Sequence, residues 1–248
     1  MNIPSSASSD EIRKAWRGLG HAAWLCLIIH LLAGIAMAVI LRQGLATNPD
    51  FIARLEFVSS NKALWISAWA TWNAAAMAIL YFYASFVHAH GLDGTSTKAK
   101  APLKFAVIWT IAAVAADLSA EAIQMGVLPG VAGRALTELA AGSSSPAAQL
   151  FLALDRIAVM MTGYMANGLY SVSALALVYT TRAAYPRWTF SAGLLVGVAG
   201  IALSIASLIG SVSGMVWSNI FLIPCLIAWQ AGVALTAANR SAPRAVAG

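Results

Sequence analysis

The sequence predicts an all-α, polytopic membrane protein of six transmembrane helices with both termini cytoplasmic, and three observations carry that reading. Of 248 residues, 60% are hydrophobic and only 10% are charged, against roughly 25% charged in an average soluble domain. The apolar residues fall into six runs, each long enough to cross about 30 Å of hydrocarbon at 1.5 Å per helical residue. The basic residues gather in alternate connections between the runs, the asymmetry that sets orientation in a bilayer.

The runs lie at 21–41, 64–88, 105–128, 148–181, 188–210 and 215–238. They divide the chain into a cytoplasmic flank at 1–20, a six-helix transmembrane domain at 21–238 and a cytoplasmic tail at 239–248. Arg13, Lys14 and Arg17 precede the first run, and Ala36-Met37-Ala38 resembles a signal-peptide cleavage site. A run of about 20 apolar residues exceeds a signal core, so a retained helix is the expectation. With the amino terminus inside, ten basic residues (Arg13, Lys14, Arg17, Lys98, Lys100, Lys104, Arg182, Arg187, Arg240 and Arg244) face four outside (Arg42, Arg54, Lys62 and Arg134). That bias matches an inner (plasma) membrane, multi-pass protein. It also accounts for the net charge of +6 without a phosphate-tracking face, which excludes nucleic acid as a partner.

The connections carry structure of their own. Asn48-Pro49-Asp50 offers an N-cap, a proline at the first helical position and an acidic first turn, ahead of an amphipathic stretch at 51–58. A second short helix is expected around Arg134 and Glu138, spaced to pair at i,i+4. Ser145-Pro146 reads as the cap and first residue of the fourth run. That run is longer than a crossing requires, so it tilts or begins outside the hydrocarbon. Trp65, Trp69 and Trp72 at the outer end of the second run read as an interfacial aromatic belt, with a ligand-facing stripe as the alternative. In the fifth run Gly193, Gly197, Gly200, Ser204, Ser207 and Gly210 form a small-residue face for close helix packing.

Chemistry concentrates in the third and fourth runs. Thr110, Ala113, Asp117, Glu121 and Gln124 share one helical face, because steps of three and four residues keep a face. The fourth run answers with Asp155 and Arg156, and a helical stripe leads from Arg156 through Met160, Gly163 and Asn167 to Tyr170, with Tyr164 beside it. Asp117 falls near the midplane and Glu121 about 6 Å further outward. His30 reaches similar depth from the first run, and Asn73 and Asn219 lie at or outside it. The candidate ligand or ion site is therefore Asp117, Glu121, Gln124, Asp155, Arg156, His30, Asn73, Tyr164 and Asn167. Three carboxylates against one permanent cation leave an excess of negative charge that calls for protons or a bound cation. The expected partner of Arg156 is Glu121 or Asp117 across the helix interface.

No cofactor is implied. His21, His88 and His90 lie near the inner boundary, where a histidine is usually solvated, His30 has no inner-half partner for bis-histidine haem, and no run has an interior lysine for a retinal Schiff base. A metal held by His30, Asp117 and Glu121 lacks the paired histidines of motif-bearing sites. Cys26 and Cys225 are isolated in apolar runs and read as inert thiols.

Trp65 to Trp72, then Tyr185-Pro186-Arg187-Trp188 with Gly193, Gly197 and Gly200, and finally Pro224 with Trp229 and Gly232, resemble the pattern of uncharacterised bacterial six-helix integral membrane proteins, a family defined by a domain of unknown function. The resemblance implies six helices and no known activity, and the acidic stripe with Arg156 is not part of it.

Two readings of the polar layer stand level. One is a site that binds or translocates a small ligand, a cation or protons, for which buried ionisable groups are the usual mark. The other is a charge clasp in an accessory or scaffold subunit. An intramembrane enzyme acting on a lipid or isoprenoid, with Asp117 or Glu121 as general acid, is a further alternative. The partners expected are the lipid bilayer, a small-molecule or cation ligand, and a membrane-protein partner or a second copy of the chain.

Overall fold

Every apolar run is helical in the computed structural model, which describes residues 7–92, 97–142 and 144–242, with the backbone alone at 97–100; no strand occurs among them. The helices are α1 (Ser9–Val39), α2 (Phe51–Ser60), α3 (Lys62–Leu92), α4 (Thr97–Gly126), α5 (Leu128–Ala140), α6 (Pro146–Val159), α7 (Asn167–Thr181), α8 (Arg187–Ile209) and α9 (Val212–Ser241), with a π-helical segment at Met160–Ala166 between α6 and α7. Five are long and apolar enough to cross a membrane: α1 with its 3-10 extension to Gln43, α3, α4 from Ala101, α8 and α9. The fourth apolar run is helical from Pro146 to Thr181, but α6, the π segment and α7 share it.

Most helices outrun the apolar windows, because hydropathy reports depth in a bilayer while backbone hydrogen bonds continue into the polar flanks. Thus α1 begins at Ser9, inside the expected flank, under a capping box in which Ser8 and Glu11 exchange backbone bonds, and Trp16 and Leu19 are already buried. α9 likewise reaches Ser241.

Six elements pack in a closed ring: α1 on α3, α3 on α4, α4 on α7 with the π segment, α7 on α8, α8 on α9, and α9 back on α1. The small face of α8 makes one of these contacts close. A Cβ at Gly200 would collide with Ser171, one at Gly197 with Leu175, and one at Gly193 with Val178 and Trp229. Near the chain termini the ring is filled by Trp229 against Phe82, Tyr83 and Phe86. Beyond this aromatic plug the ring is hollow.

α2 and α5 close the far end, packing on each other and burying Leu55 and Val58 with Leu128, Ala132 and Ala135. The cap of α2 is Asp50, whose Oδ1 accepts from Ala53 N at 3.0 Å, while Asn48 Oδ1 accepts from Asp50 N. The cap thus falls two residues later than expected.

The expected pairing of Glu138 with Arg134 gives way to a different role: Glu138 Oε2 accepts from Ser145 Oγ at 2.8 Å and Ala147 N at 3.0 Å, and Ser145 Oγ in turn caps Ala148 N. These bonds hold the Glu138 carboxyl below the usual glutamate value of 4.5, the Ala147 amide contributing most and Arg134 least. A depressed folded value stabilises above 4.5 and is lost as pH falls through it. The Ala147 amide is accordingly expected to be less protected from exchange, relative to its intrinsic rate at the same pH, at about pH 3 than at neutrality, and in Glu138→Gln that difference should vanish.

Candidate functional site

The hollow of the ring is a cavity of about 1190 Å³. Its walls are largely apolar, and polar groups reach it as His30 of α1, Trp69 and Trp72 of α3, Asp117, Glu121 and Gln124 of α4, Asp155, Thr162, Asn167 and Tyr170 of the α6–π–α7 run, and Arg42, Gln43, Thr47 and Asn48 at its outer rim after α1. Asn219 of α9 joins them.

The α4 stripe is as the 3.6-residue period places it. Asp117 accepts hydrogen bonds from the hydroxyls of Thr162 and Tyr170, the latter at 3.3 Å, so its two oxygens are each provided with a donor. Glu121, one turn further, is 1% exposed, and its Oε2 has no hydrogen-bond partner among the described residues. Gln124 donates to Asp155 Oδ1 at 3.3 Å while its own Oε1 is unpaired. The indole N–H groups of Trp69 and Trp72 are also buried and unpaired. Buried polar atoms without partners are few in native structures, and four of those among the described residues, on Trp69, Trp72, Glu121 and Gln124, gather on this wall.

The cation of this layer is Arg54, not Arg156. Arg54, on α2, donates to Asp155 Oδ2 at 2.8 Å and to the Gly44 carbonyl at 3.2 Å. Its guanidinium lies over the rings of Phe51 and Phe151. Arg156 instead points out of the ring and donates to the carbonyls of Ser207 and Leu208 at 2.7 and 2.8 Å. There it bonds the Leu208 carbonyl and shares that of Ser207 with the Gly210 N–H at the end of α8, where Gly210 adopts φ 73° as the left-handed cap.

The π segment explains the exchange. One residue added to a helical turn rotates everything before it by about 100° relative to the residues after it. A stripe extrapolated back from Tyr170, Asn167 and Gly163 at α-helical steps therefore arrives one position late. Asp155 occupies the place on the wall that uninterrupted periodicity assigns to Arg156. Carbonyls of the segment also take side-chain donors beside the Asn167 backbone N–H: Asn167 Nδ2 donates to that of Thr162 and Ser204 Oγ to that of Tyr164.

Other expected site residues fall on and off the wall. His30 is on it, with Nδ1 2.8 Å from the Cys26 carbonyl. A carbonyl can only accept, so Nδ1 carries a hydrogen. Asn73 lies outside the lining, its Nδ2 4.0 Å from Met125 Sδ, and the Tyr164 side chain is exposed on the outer surface. His30, Asp117 and Glu121 share the cavity, and among the described residues no three His, Cys, Asp or Glu side chains gather as a metal-ligand group.

Trp65, Trp69 and Trp72 do not form an exposed belt. Trp65 is buried and donates Nε1 to the Gln124 carbonyl at 2.7 Å, which ties α3 to α4, and the other two face the cavity. The loop after α1 closes over them so tightly that a Cβ at Gly44 would sit 2.6 Å from both Trp65 and Val58. The buried role of Arg54 and of these indoles is hidden in the sequence because hydropathy assigns both the connection that carries Arg54 and the outer end of the second run to the water boundary. The only sequence signal is the amphipathic phase of 51–58, which puts Arg54 beside Leu55 and Val58 on its inner face.

Fold and site together define an all-helical protein with the architecture of a membrane protein and a buried acidic cavity. No protein-family model matches the chain, and neither the curated proteins nor the solved structures contain a match to it.

Proposed function

We propose that this is a six-span inner-membrane protein whose acidic cavity binds a small cationic or amphipathic ligand. The composite α6–π–α7 run serves as the sixth crossing, both termini face the cytoplasm in keeping with the ten-to-four basic bias, and the cavity lies in the outer half. The observation that carries the reading is Glu121: a buried carboxyl with an unpaired oxygen on the wall of a cavity large enough for a ligand. Asp155 is matched by Arg54, so among the described residues Asp117 and Glu121 remain as acids without a cation. A protonated amine, or protons themselves, would supply the missing charge. The unpaired indoles of Trp69 and Trp72 offer donors and aromatic faces for the rest of the head group. Because the aromatic plug closes the cavity toward the chain termini, transport would require Trp229 and its neighbours to move, and binding requires no such step.

The Arg54–Asp155 pair supports a clasp at one corner of the same layer, tying α2 to α6. The two roles separate at Glu121. Titration of octylammonium into the protein in lipid nanodiscs is expected to saturate, and Glu121→Gln should weaken it on the order of tenfold or more, about 1.4 kcal/mol. The variant should unfold at a temperature close to that of wild type, since the oxygen it replaces makes no hydrogen bond. A folded Glu121→Gln protein with unchanged octylammonium affinity would remove the ligand-site reading and leave the clasp.

A further inference from the structure

Resting on the cavity as a binding site for a cationic head group, we infer that its occupant is a single-chain amphiphile with a protonated amine head, admitted sideways from the outer leaflet between α1 and α9. The cavity exceeds the roughly 300–1,000 Å³ of ordinary small-ligand sites, and most of it is walled by hydrocarbon, which protons or a small inorganic cation would not need.

The wall is continuous with the outside of the ring between α1 and α9, where the exposed loop residues Arg42, Gln43, Thr47 and Pro49 form the outer rim of the opening. Leu31 and Ile35 of α1 and Val216 and Ile220 of α9 line the cavity, yet stand 46%, 53%, 37% and 51% exposed on the outer surface. The same side chains therefore border both the interior and the lipid. Beside this opening α1 and α9 touch at ordinary van der Waals distance and leave room for a small side chain: a Cβ at Gly34 would meet Ile223 alone, at 3.6 Å. Pro224 follows in α9 and has no N–H to offer the Ile220 carbonyl, so the α9 wall lacks one helical bond at the height of the gap. Nearer the termini the two helices stay in contact through Gly20 against Ala237 and Ala234, and among the described residues no cavity-lining residue lies there on either helix. A chain lying in the gap has its head at the Glu121 and Asp117 wall and its tail among bilayer chains, which keeps the acidic group from facing lipid.

Octadecylamine carrying a diazirine at mid-chain, photoactivated with the full chain in phosphatidylcholine nanodiscs, tests this. Peptide mapping is expected to place the label on residues 31–38 and 212–223. Glu121→Gln should cut that labelling roughly tenfold, by removing the head's partner. Gly34→Phe, which fills the gap without touching the acids, should do the same while octylammonium binding persists. Label spread evenly over outward faces such as those of Ile108 and Leu195 would overturn the lateral path while leaving the octylammonium site standing. Undiminished labelling of the gap in Glu121→Gln would overturn the amine-headed occupant. Loss of saturable octylammonium binding in wild type itself would instead sink the underlying site.

Discussion

Arg54→Met is expected to destabilise the protein by about 3–5 kcal/mol, because it removes the cation from a buried pair and leaves the Asp155 carboxylate charged and enclosed. Among the described residues, Gln124 Nε2 alone would still donate to it. The loss should be largely recovered in Arg54→Met combined with Asp155→Leu, since two apolar side chains of similar bulk need no charge partner. Arg54→Lys should fall between, keeping a charge but not the second donor that reaches the Gly44 carbonyl. Chemical unfolding of the four proteins in bicelles gives the cycle. If the single Met variant is as stable as wild type, the pair is hydrated rather than enclosed, and α2 is not latched by it.

Gly193→Leu should cost roughly 3 kcal/mol or more through overpacking. A methyl at this position already collides with Val178 on α7 and comes within 2.9 Å of Trp229 Nε1 on α9. Trp229 cannot yield easily, because it is packed on Phe82, Tyr83 and Phe86 in the plug. The substitution therefore wedges α8 away from both neighbours. Between membrane helices the attraction is van der Waals contact and not water exclusion, so lost proximity is lost stability. Gly18→Leu is the control, since a Cβ there meets nothing within 4 Å; its unfolding midpoint should stay near wild type. Equal loss in both variants would mean that the close α7–α8–α9 contact is not what holds the ring.

Much of the site is legible where one regular helix carries it. Asp117, Glu121 and Gln124 lie on a wall together because α4 is unbroken from Thr97 to Gly126, so a 3.6-residue period holds across all three. His30 and Asn167 also reach that wall. Legibility fails wherever the period or the depth assumption fails. Periodicity assigns Arg156 to the acids only by continuing a stripe through Met160–Ala166, where the helix takes an extra residue. Hydropathy assigns Arg54 and the indoles of Trp69 and Trp72 to a boundary, because a windowed average cannot register that α2 and α5 fold back over the end of the ring. Small residues on α8 announce close packing correctly, since absence of a side chain has the same meaning in either description.

What the sequence determined by itself is the class and the inventory: helices of membrane length, a basic bias between their ends, and more buried acids than buried cations. These come from composition and local periodicity, which hold residue by residue. Only the tertiary structure decided which cation meets which acid, and that Glu121 faces open space rather than a partner. Those outcomes depend on a π turn that shifts phase by one position and on a lid helix from a distant connection. Neither is a sum of local preferences, so the surplus of acid could be counted from the chain, but the cavity that gives it a use could not.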